Sequence, residues 1–134
     1  MLNAPSTWPG QKWGKFHAIF RQISMLTIYK IFLETEWLAL ERAGVFRGSA
    51  DDRRDGFIHC STAEQSIGTY EKYFAGRPGV ILAAIDADAL GAALRWEPSR
   101  GGALFPHIYG DLPRTAILWS RPLTSIADLR QFTQ

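Results

Sequence analysis

The sequence has one cysteine, no long apolar run and no large excess of charge of either sign. A single cysteine, Cys60, cannot form an intramolecular disulfide. No apolar run approaches the roughly 20 residues that a transmembrane helix needs. With 134 residues, 46% of them hydrophobic and 21% charged, the chain has the length and composition of one globular domain. These observations predict a cytoplasmic protein without a membrane partner.

The small net charge of +2 comes from the N-terminal segment. Residues 1–24 contain Lys12, Lys15 and Arg21 and no acidic residue, while residues 25–134 hold the other 12 Lys and Arg against 13 Asp and Glu. The larger part therefore has no basic excess that would attract a nucleic acid. Because residues 1–24 also lack periodicity, we predict a leader or flexible arm there, followed by a single domain over residues 25–134.

Several common functional motifs are absent. No P-loop and no Gly-x-Gly-x-x-Gly turn follows a predicted strand, which excludes the usual phosphate-binding loops of nucleotide enzymes. No serine lies in a nucleophile-elbow sequence. No two histidines are four residues apart, and there is no Cys-x-x-Cys, so the spacing of residues gives no reason to expect a bound metal.

Hydrophobic periodicity predicts an α+β fold. The predicted strands cover residues 26–32, 57–60, 79–86, 94–97, 105–110 and 115–120. The predicted helices begin at Glu34 or Thr35, at Ser61 and at Ser125. Strands dominate the second half, which favours a mixed, mostly antiparallel sheet with two or three helices. Pro106 is expected to restrict its strand to a sheet edge or a bulge. The segment 48–55 is predicted to be a mobile, solvated loop, with its charges on Asp51, Asp52, Arg53 and Arg54.

The predicted strand that ends at Cys60 is the most informative stretch. Ile58 and Cys60 are apolar, and His59 between them points to the opposite face because side chains alternate along a strand. Ser61 is predicted to cap the next helix, with Glu64 completing a capping box. A histidine beside a helix N-terminus combines a proton donor or acceptor with N–H groups that favour an anion.

Three further polar side chains lie in apolar surroundings, namely Glu97, His107 and Tyr109. His107 and Tyr109 are two residues apart and would share one face of an extended segment. Each has a structural interpretation as well, such as Glu97 ending a strand. Two histidines and a carboxylate are also residue types of a metal site, so a metal-dependent hydrolase using His59, His107 and Glu97 stays open as an alternative.

Four segments of the sequence resemble the DUF952 family of small bacterial proteins. They are, in order, Tyr29-Lys30-Ile31, Asp55-Gly56-Phe57-Ile58-His59-Cys60-Ser61, Glu97-Pro98-Ser99 and Phe105-Pro106-His107-Ile108-Tyr109-Gly110. The resemblance extends over about residues 27–122, and the second and fourth segments together are specific. It implies a bacterial protein without an assigned activity.

The order of strand, histidine, serine, helix and later strands also resembles the ADP-ribosyltransferase superfamily, including the NAD-dependent RNA 2′-phosphotransferases. That resemblance implies a split sheet, in which two curved sheets pack together with NAD in the cleft between them. By position it implies catalytic roles for His59 and Glu97, with Lys30 and Ser61 contacting substrate. Glu97 would stabilise an oxocarbenium-like sugar cation. His107 and Tyr109 would shape the pocket for the base.

The leading hypothesis is therefore a protein that binds NAD or a related nucleotide, as an ADP-ribosyltransferase-like transferase or glycohydrolase. NAD would be its substrate, and no metal is expected. A non-catalytic module that binds a nucleotide or an ADP-ribosyl group through the same cleft is the first alternative. The metal-dependent hydrolase is the second.

Overall fold

The computed structural model describes residues 26–134, and the predicted leader or arm at residues 1–24 lies outside them. The strands are β1 Thr27–Phe32, β2 Val45–Phe46, β3 Ile58–His59, β4 Val80–Asp86, β5 Leu94–Pro98, β6 Leu104–Ile108, β7 Leu112–Pro113 and β8 Ile117–Leu123. The α-helices are α1 Glu34–Ala43, α2 Ala50–Asp55, α3 Ala63–Tyr73 and α4 Ile126–Phe132. Short 3₁₀ helices cover Ala87–Ala93, Arg100–Gly102 and Arg114–Ala116. The predicted α+β class is confirmed, but this part of the chain has four α-helices where two or three were predicted.

The eight strands form three small sheets in which the paired strands run antiparallel. Their orders are β1-β4-β8, β2-β7 and β3-β6-β5. A bridge joins the first and third sheets, because the backbones of Tyr29 and Ser61 exchange two hydrogen bonds of 2.7 and 2.8 Å. This bridge brings the end of β3 next to the middle of β1.

The core lies on both faces of the β1-β4-β8 sheet. Alternate residues of β4 enter two different clusters, with Leu82 on one side and Ile85 on the other. Helices α3 and α4 cover the Leu82 side, whereas α1 and the apolar face of the β3-β6-β5 sheet cover the Ile85 side. The predicted strand at residues 79–86 is thus β4, and its continuous apolar run is buried on both faces.

Helix α3 begins one residue later than predicted. Thr62, not Ser61, is the N-cap, since its side chain accepts a 3.1 Å hydrogen bond from the Gln65 backbone while Gln65 bonds back to the Thr62 N–H. One apolar stripe of the helix and its C-cap packs against the core through Ala63, Ile67, Tyr70 and Phe74. Of the helices in the described residues, none has the length and apolar character that a membrane crossing requires.

The prediction that Pro106 restricts β6 to an edge or a bulge is wrong, because β6 is the middle strand of its sheet. The Pro106 carbonyl accepts a 3.1 Å hydrogen bond from Cys60, so its nitrogen also faces the β3 side. Strand β3 has only two residues and ends at His59. The N–H that Pro106 lacks would have faced the position just beyond the end of β3. The strand pairing of β3 and β6 has already stopped there, so no ladder hydrogen bond is lost.

The segment predicted to be a mobile loop contains α2. Ser49 caps this helix by accepting from the Asp52 N–H at 3.1 Å, and its own N–H donates to the Asp52 carboxylate at 2.9 Å. Gly56 ends the helix with a left-handed φ of 89°. Asp52 is 3% exposed, so its predicted solvent exposure is wrong.

Candidate functional site

One face of the β3-β6-β5 sheet carries the polar side chains that the sequence singled out. His59 lies opposite His107 across β3 and β6, and Arg95 lies opposite His107 across β5 and β6. Side chains two residues apart share a face, which adds Glu97 and Tyr109 to this surface. The other face of the same sheet packs into the core through Ile58, Cys60 and Ile108. The prediction that His59 points to the opposite face from Ile58 and Cys60 is confirmed.

Two carboxylates hold the His59 ring. Its Nδ1 lies 2.6 Å from Asp52 Oδ1, and its Nε2 lies 2.9 Å from Asp55 Oδ2. The His59 backbone N–H also donates to Asp52 Oδ1 at 3.1 Å. Both ring nitrogens donate in the imidazolium form. The side chain is 38% exposed, so the ring can meet a ligand while the carboxylates fix its orientation.

Asp52 is the centre of this cluster. Its Oδ2 lies 3.3 Å from Lys30 Nζ, which also donates a 2.7 Å hydrogen bond to the His59 carbonyl. Burial by itself raises the pKa of the Asp52 carboxyl, but the hydrogen bond from His59, the Lys30 charge and the backbone N–H groups of Ser49 and His59 hold that pKa well below its ordinary value. Lys30 is 8% exposed, so its ammonium positions this cluster from within the core.

Glu97, His107 and Tyr109 form a second cluster on the same face. Glu97 Oε1 lies 2.7 Å from His107 Nδ1 and accepts a 2.8 Å hydrogen bond from the Tyr109 hydroxyl. The bonds from His107 and then Tyr109 lower the pKa of Glu97, and the bond to Glu97 raises the pKa of Tyr109. The Arg95 guanidinium lies 4.4 Å from the Tyr109 ring centre. Glu97 is therefore positioned to orient His107.

Phe57 packs against both histidines. Its ring stacks on His107 with centroids 3.9 Å apart and an interplanar angle of 24°, and it lies 4.6 Å from the His59 ring. The two imidazole centroids are 5.7 Å apart. Sequence reasoning treated Phe57 as an ordinary strand residue, whereas in the structure it sets the spacing of the histidine pair.

A cleft of about 430 Å³ opens beside this cluster. Lys30, His59, Ser61 and His107 lie on its wall, so four of the six predicted site residues are brought together there. Glu97 and Tyr109 do not line the cleft, but Glu97 contacts His107 and Tyr109 contacts Glu97. Among the described residues, helix α3 contributes Thr69 and Tyr73 to the wall but not its first turn. The first turn of this helix, which was predicted to lie at the site beside His59, does not line the cleft, because the helix contributes residues of its C-terminal half.

Two arginines on the cleft wall, Arg77 and Arg100, have no carboxylate partner within residues 26–134. Arg100 Nη2 donates a 2.9 Å hydrogen bond to Thr69 Oγ1, which lies 3.2 Å from the buried Ser61 hydroxyl. The Arg100 guanidinium also stacks 4.9 Å from the Phe105 ring centre. Arg77 lies on the same wall. Within residues 26–134, neither of these arginines forms an ion pair with a carboxylate.

The other cations of the wall are neutralised. Lys30 pairs with Asp52, and Arg54 pairs with Asp51 and Asp55. The Arg54 hydrogen bond is the main reason that the pKa of Asp55 is lowered. The unpaired charges of Arg77 and Arg100 are thus a specific feature of the cleft wall. The sequence does not reveal this feature, because only the folding of the chain brings Arg100 next to Thr69.

The residues proposed for a metal hydrolase do not form a metal site. In the part of the chain that the structure describes, no group of three or more His, Cys, Asp or Glu side chains is arranged to hold a metal ion. The Nδ1 atoms of His59 and His107 each face a carboxylate. The Nε2 of His59 is occupied as well, because it lies 2.9 Å from Asp55 Oδ2.

Comparison with known proteins gives the family. The model of the family described as "Protein of unknown function (DUF952)" matches residues 31–120. The chain belongs to the DUF952 family. None of the curated proteins matches it.

This DUF952 protein is also similar to solved structures of protein CC0527 from Caulobacter crescentus. An X-ray structure has 45% sequence identity and a TM-score of 0.71, and the match covers 73% of this chain and 86% of that chain. The solution NMR structure of CC0527 has 45% identity and a TM-score of 0.66, with 72% and 84% covered. The α+β architecture described above is therefore shared with an experimentally determined fold.

The one cysteine of the chain is predicted to be unreactive in the folded protein. Burial raises the pKa of the Cys60 thiol to about 12, and the residue is enclosed in the core. Because the thiolate is the reactive form, a disulfide reagent at pH 8 should modify the native protein more than ~100-fold slower than the protein unfolded in guanidinium. Equal rates in the two states would mean that the thiol is accessible.

Proposed function

We propose that this DUF952 protein binds NAD or a related nucleotide in the cleft beside His59. The observation that carries the proposal is the pair of unneutralised arginines, Arg77 and Arg100, on the wall that also holds a carboxylate-oriented histidine. Arginine binds phosphate oxygens through charge-assisted, geometrically matched hydrogen bonds. A phosphate held by Arg100 would also be within reach of the Ser61 and Thr69 hydroxyls.

The size and lining of the cleft suit the rest of a nucleotide. Its volume of about 430 Å³ falls within the roughly 300–1,000 Å³ of small-molecule sites. Tyr29, Tyr73, Phe74 and Phe105 contribute aromatic rings to the wall, and such rings pack well against a planar base. Cationic groups together with aromatic surface are the combination that a nucleotide requires.

The catalytic form of the proposal is an ADP-ribosyltransferase-like reaction, in which the bond between nicotinamide and ribose breaks. The resemblance of the sequence around His59 supports this form. In it, Glu97 would act through His107, because its carboxylate is bonded to His107 and Tyr109. His59 would orient the ribose or the phosphate.

A non-catalytic binding module is the second candidate. The observation that favours it is that both ring nitrogens of His59 contact carboxylates, Asp52 and Asp55. A histidine held in this way is fixed in place by the protein and can serve to position a ligand. The release of nicotinamide from NAD distinguishes the two forms, since only the catalytic form produces it.

Replacing Arg100 by Met is expected to weaken the binding of NAD and ADP-ribose at least about tenfold. The change keeps the length of the side chain but removes the charge, and a hydrogen bond to a charged group is worth about 1.5–3 kcal/mol. Isothermal titration calorimetry measures the dissociation constants. Arg121→Met is the matched control, because Arg121 stacks on Trp119 and Phe132, which do not line the cleft.

Two results would contradict the proposal. One is the absence of any heat of binding with NAD, ADP-ribose or AMP at millimolar concentration. The other is an equal loss of affinity in the Arg100 and Arg121 variants, which would mean that general charge and not Arg100 in particular attracts the ligand.

A further inference from the structure

The two histidines differ in how their rings are bonded. Within the described residues, His107 is 4% exposed, and its Nε2 has no hydrogen-bond partner while its Nδ1 is held by Glu97. A buried polar atom without a partner is costly, so such an atom on a cleft wall marks the place of a ligand contact. The cleft reaches His107. Its Nε2 is thus a second contact for the bound molecule.

The two rings differ in how their nitrogens are bonded. His59 contacts a carboxylate from each ring nitrogen, Asp52 from Nδ1 and Asp55 from Nε2, so it shares a proton with Asp55 on the cleft wall. His107 contacts a carboxylate only from Nδ1, where it meets Glu97, and its Nε2 stays open. The pair therefore combines a nitrogen that can give a proton with one that can take a proton, on rings whose centroids are 5.7 Å apart.

Arg100 lies one row of side chains away from the two histidines. Ser61 follows His59 by two residues, and Phe105 precedes His107 by two residues, with Arg100 stacked on Phe105. Two residues along a strand span about 7 Å, a distance that an arginine side chain can bridge. A phosphate group held by Arg100 can therefore also approach both imidazole rings.

We propose that His59 and His107 are a general acid and a general base that hydrolyse a nucleotide phosphodiester. The inference rests on the proposed nucleotide binding and names the bond that is broken. Water attacks phosphorus and gives its proton to His107 Nε2. The P–O bond to the leaving ribose oxygen breaks, and that oxygen takes the proton of His59 Nε2 as the contact with Asp55 opens. The products are a phosphomonoester and an alcohol, and no oxidant or reductant is consumed.

The test uses two probes with purified protein. The first is 2′,3′-cyclic AMP, whose hydrolysis to adenosine monophosphate is followed by ³¹P NMR. The second is bis(p-nitrophenyl) phosphate, which contains the same bond without a nucleoside. Wild-type protein should hydrolyse both, with a bell-shaped dependence of kcat/KM on pH, because one histidine must be protonated and the other neutral.

His59→Ala and His107→Ala should each lower kcat/KM by about 10²–10⁴-fold, the usual contribution of general acid–base catalysis. Added imidazole should restore part of the activity, which a purely structural loss would not allow. His107→Gln replaces the alanine variant if circular dichroism shows that the latter is unfolded. Glu97→Gln should change the pH profile, since Glu97 is a positioning residue for His107. Arg121→Met again provides the control.

The outcomes separate this inference from the proposed function. Nucleotide binding by calorimetry without hydrolysis of either probe would overturn the acid–base pair and leave the binding proposal intact. Histidine-dependent hydrolysis of bis(p-nitrophenyl) phosphate without any nucleotide binding would support the acid–base pair and overturn the proposal that the protein binds a nucleotide. Hydrolysis that is unchanged in both histidine variants would overturn the inference.

Discussion

Replacing Asp52 by Ala is expected to destabilise the protein by about 3–5 kcal/mol, the usual effect of removing one partner from a buried ion pair. Asp52 accepts hydrogen bonds from the backbones of Ser49 and His59 and contacts the side chains of His59 and Lys30. Without it, the buried Lys30 ammonium has no counter-charge and α2 loses its capping box. Urea unfolding followed by circular dichroism measures the change.

Asp51→Ala is the matched control for this prediction. Asp51 lies in the same helix, but its ion pair with Arg54 is at the surface, where both side chains are 67% exposed. Exposed pairs contribute at most about 1 kcal/mol. If the two variants lost the same amount of stability, Asp52 would not be the buried centre of the cluster.

The same carboxylate should make the protein sensitive to acid. The folded state holds the pKa of Asp52 below its unfolded value. Its contribution is therefore fully present above the unfolded value of about 4, and it is lost as the pH falls below that value toward the folded pKa. The difference in unfolding free energy between wild type and Asp52→Asn should shrink between about pH 5 and pH 2. A difference that stays constant over this range would contradict the lowered pKa.

Replacing Phe32 by Ala is the second change with a large expected effect, a loss of about 3–5 kcal/mol. Phe32 is fully buried, and its ring makes edge contacts with Trp37 at 5.5 Å and with Phe46 at 4.9 Å between centroids. Alanine would leave a cavity among residues from β1, α1 and β2, and the aromatic contacts would also be lost. Thermal and urea unfolding measure the effect.

Leu38→Ala provides the comparison for Phe32. Leu38 is on α1 but is 50% exposed, and alanine is a better helix former than leucine. This variant should change the unfolding free energy by no more than about 0.5 kcal/mol. A small effect of Phe32→Ala would mean that the aromatic cluster of β1, α1 and β2 is not part of the cooperative core.

The sequence predicted those features of the site that depend on the directions of side chains within one strand. Because side chains alternate, the pattern around His59 was enough to separate it from the apolar Ile58 and Cys60. The same rule placed His107 and Tyr109 on one face. Segment boundaries were less accurate, since either Ser61 or Thr62 can cap α3 and only the packing of the chain selects Thr62.

Asp52 shows why a charged segment is difficult to interpret from sequence. The Ser49-x-x-Asp52 spacing was a usable signal for a capping box. It could not indicate that the same carboxylate reaches the buried Lys30, because that contact depends on the bridge between β1 and the end of β3. Five consecutive charged residues, 51–55, are therefore predicted as solvated surface although Asp52 is buried.

The sequence by itself determined the α+β class, the buried β4 strand and the direction in which His59 points, since each depends on periodicity within a few residues. Only the tertiary structure decided which groups meet His59 and His107. The Asp52, Glu97 and Arg100 contacts join segments separated by loops, and local periodicity carries no information about such pairings. The tertiary structure also decided that Pro106 lies in the middle strand of its sheet. A proline is tolerated there only because the neighbouring strand β3 ends beside it.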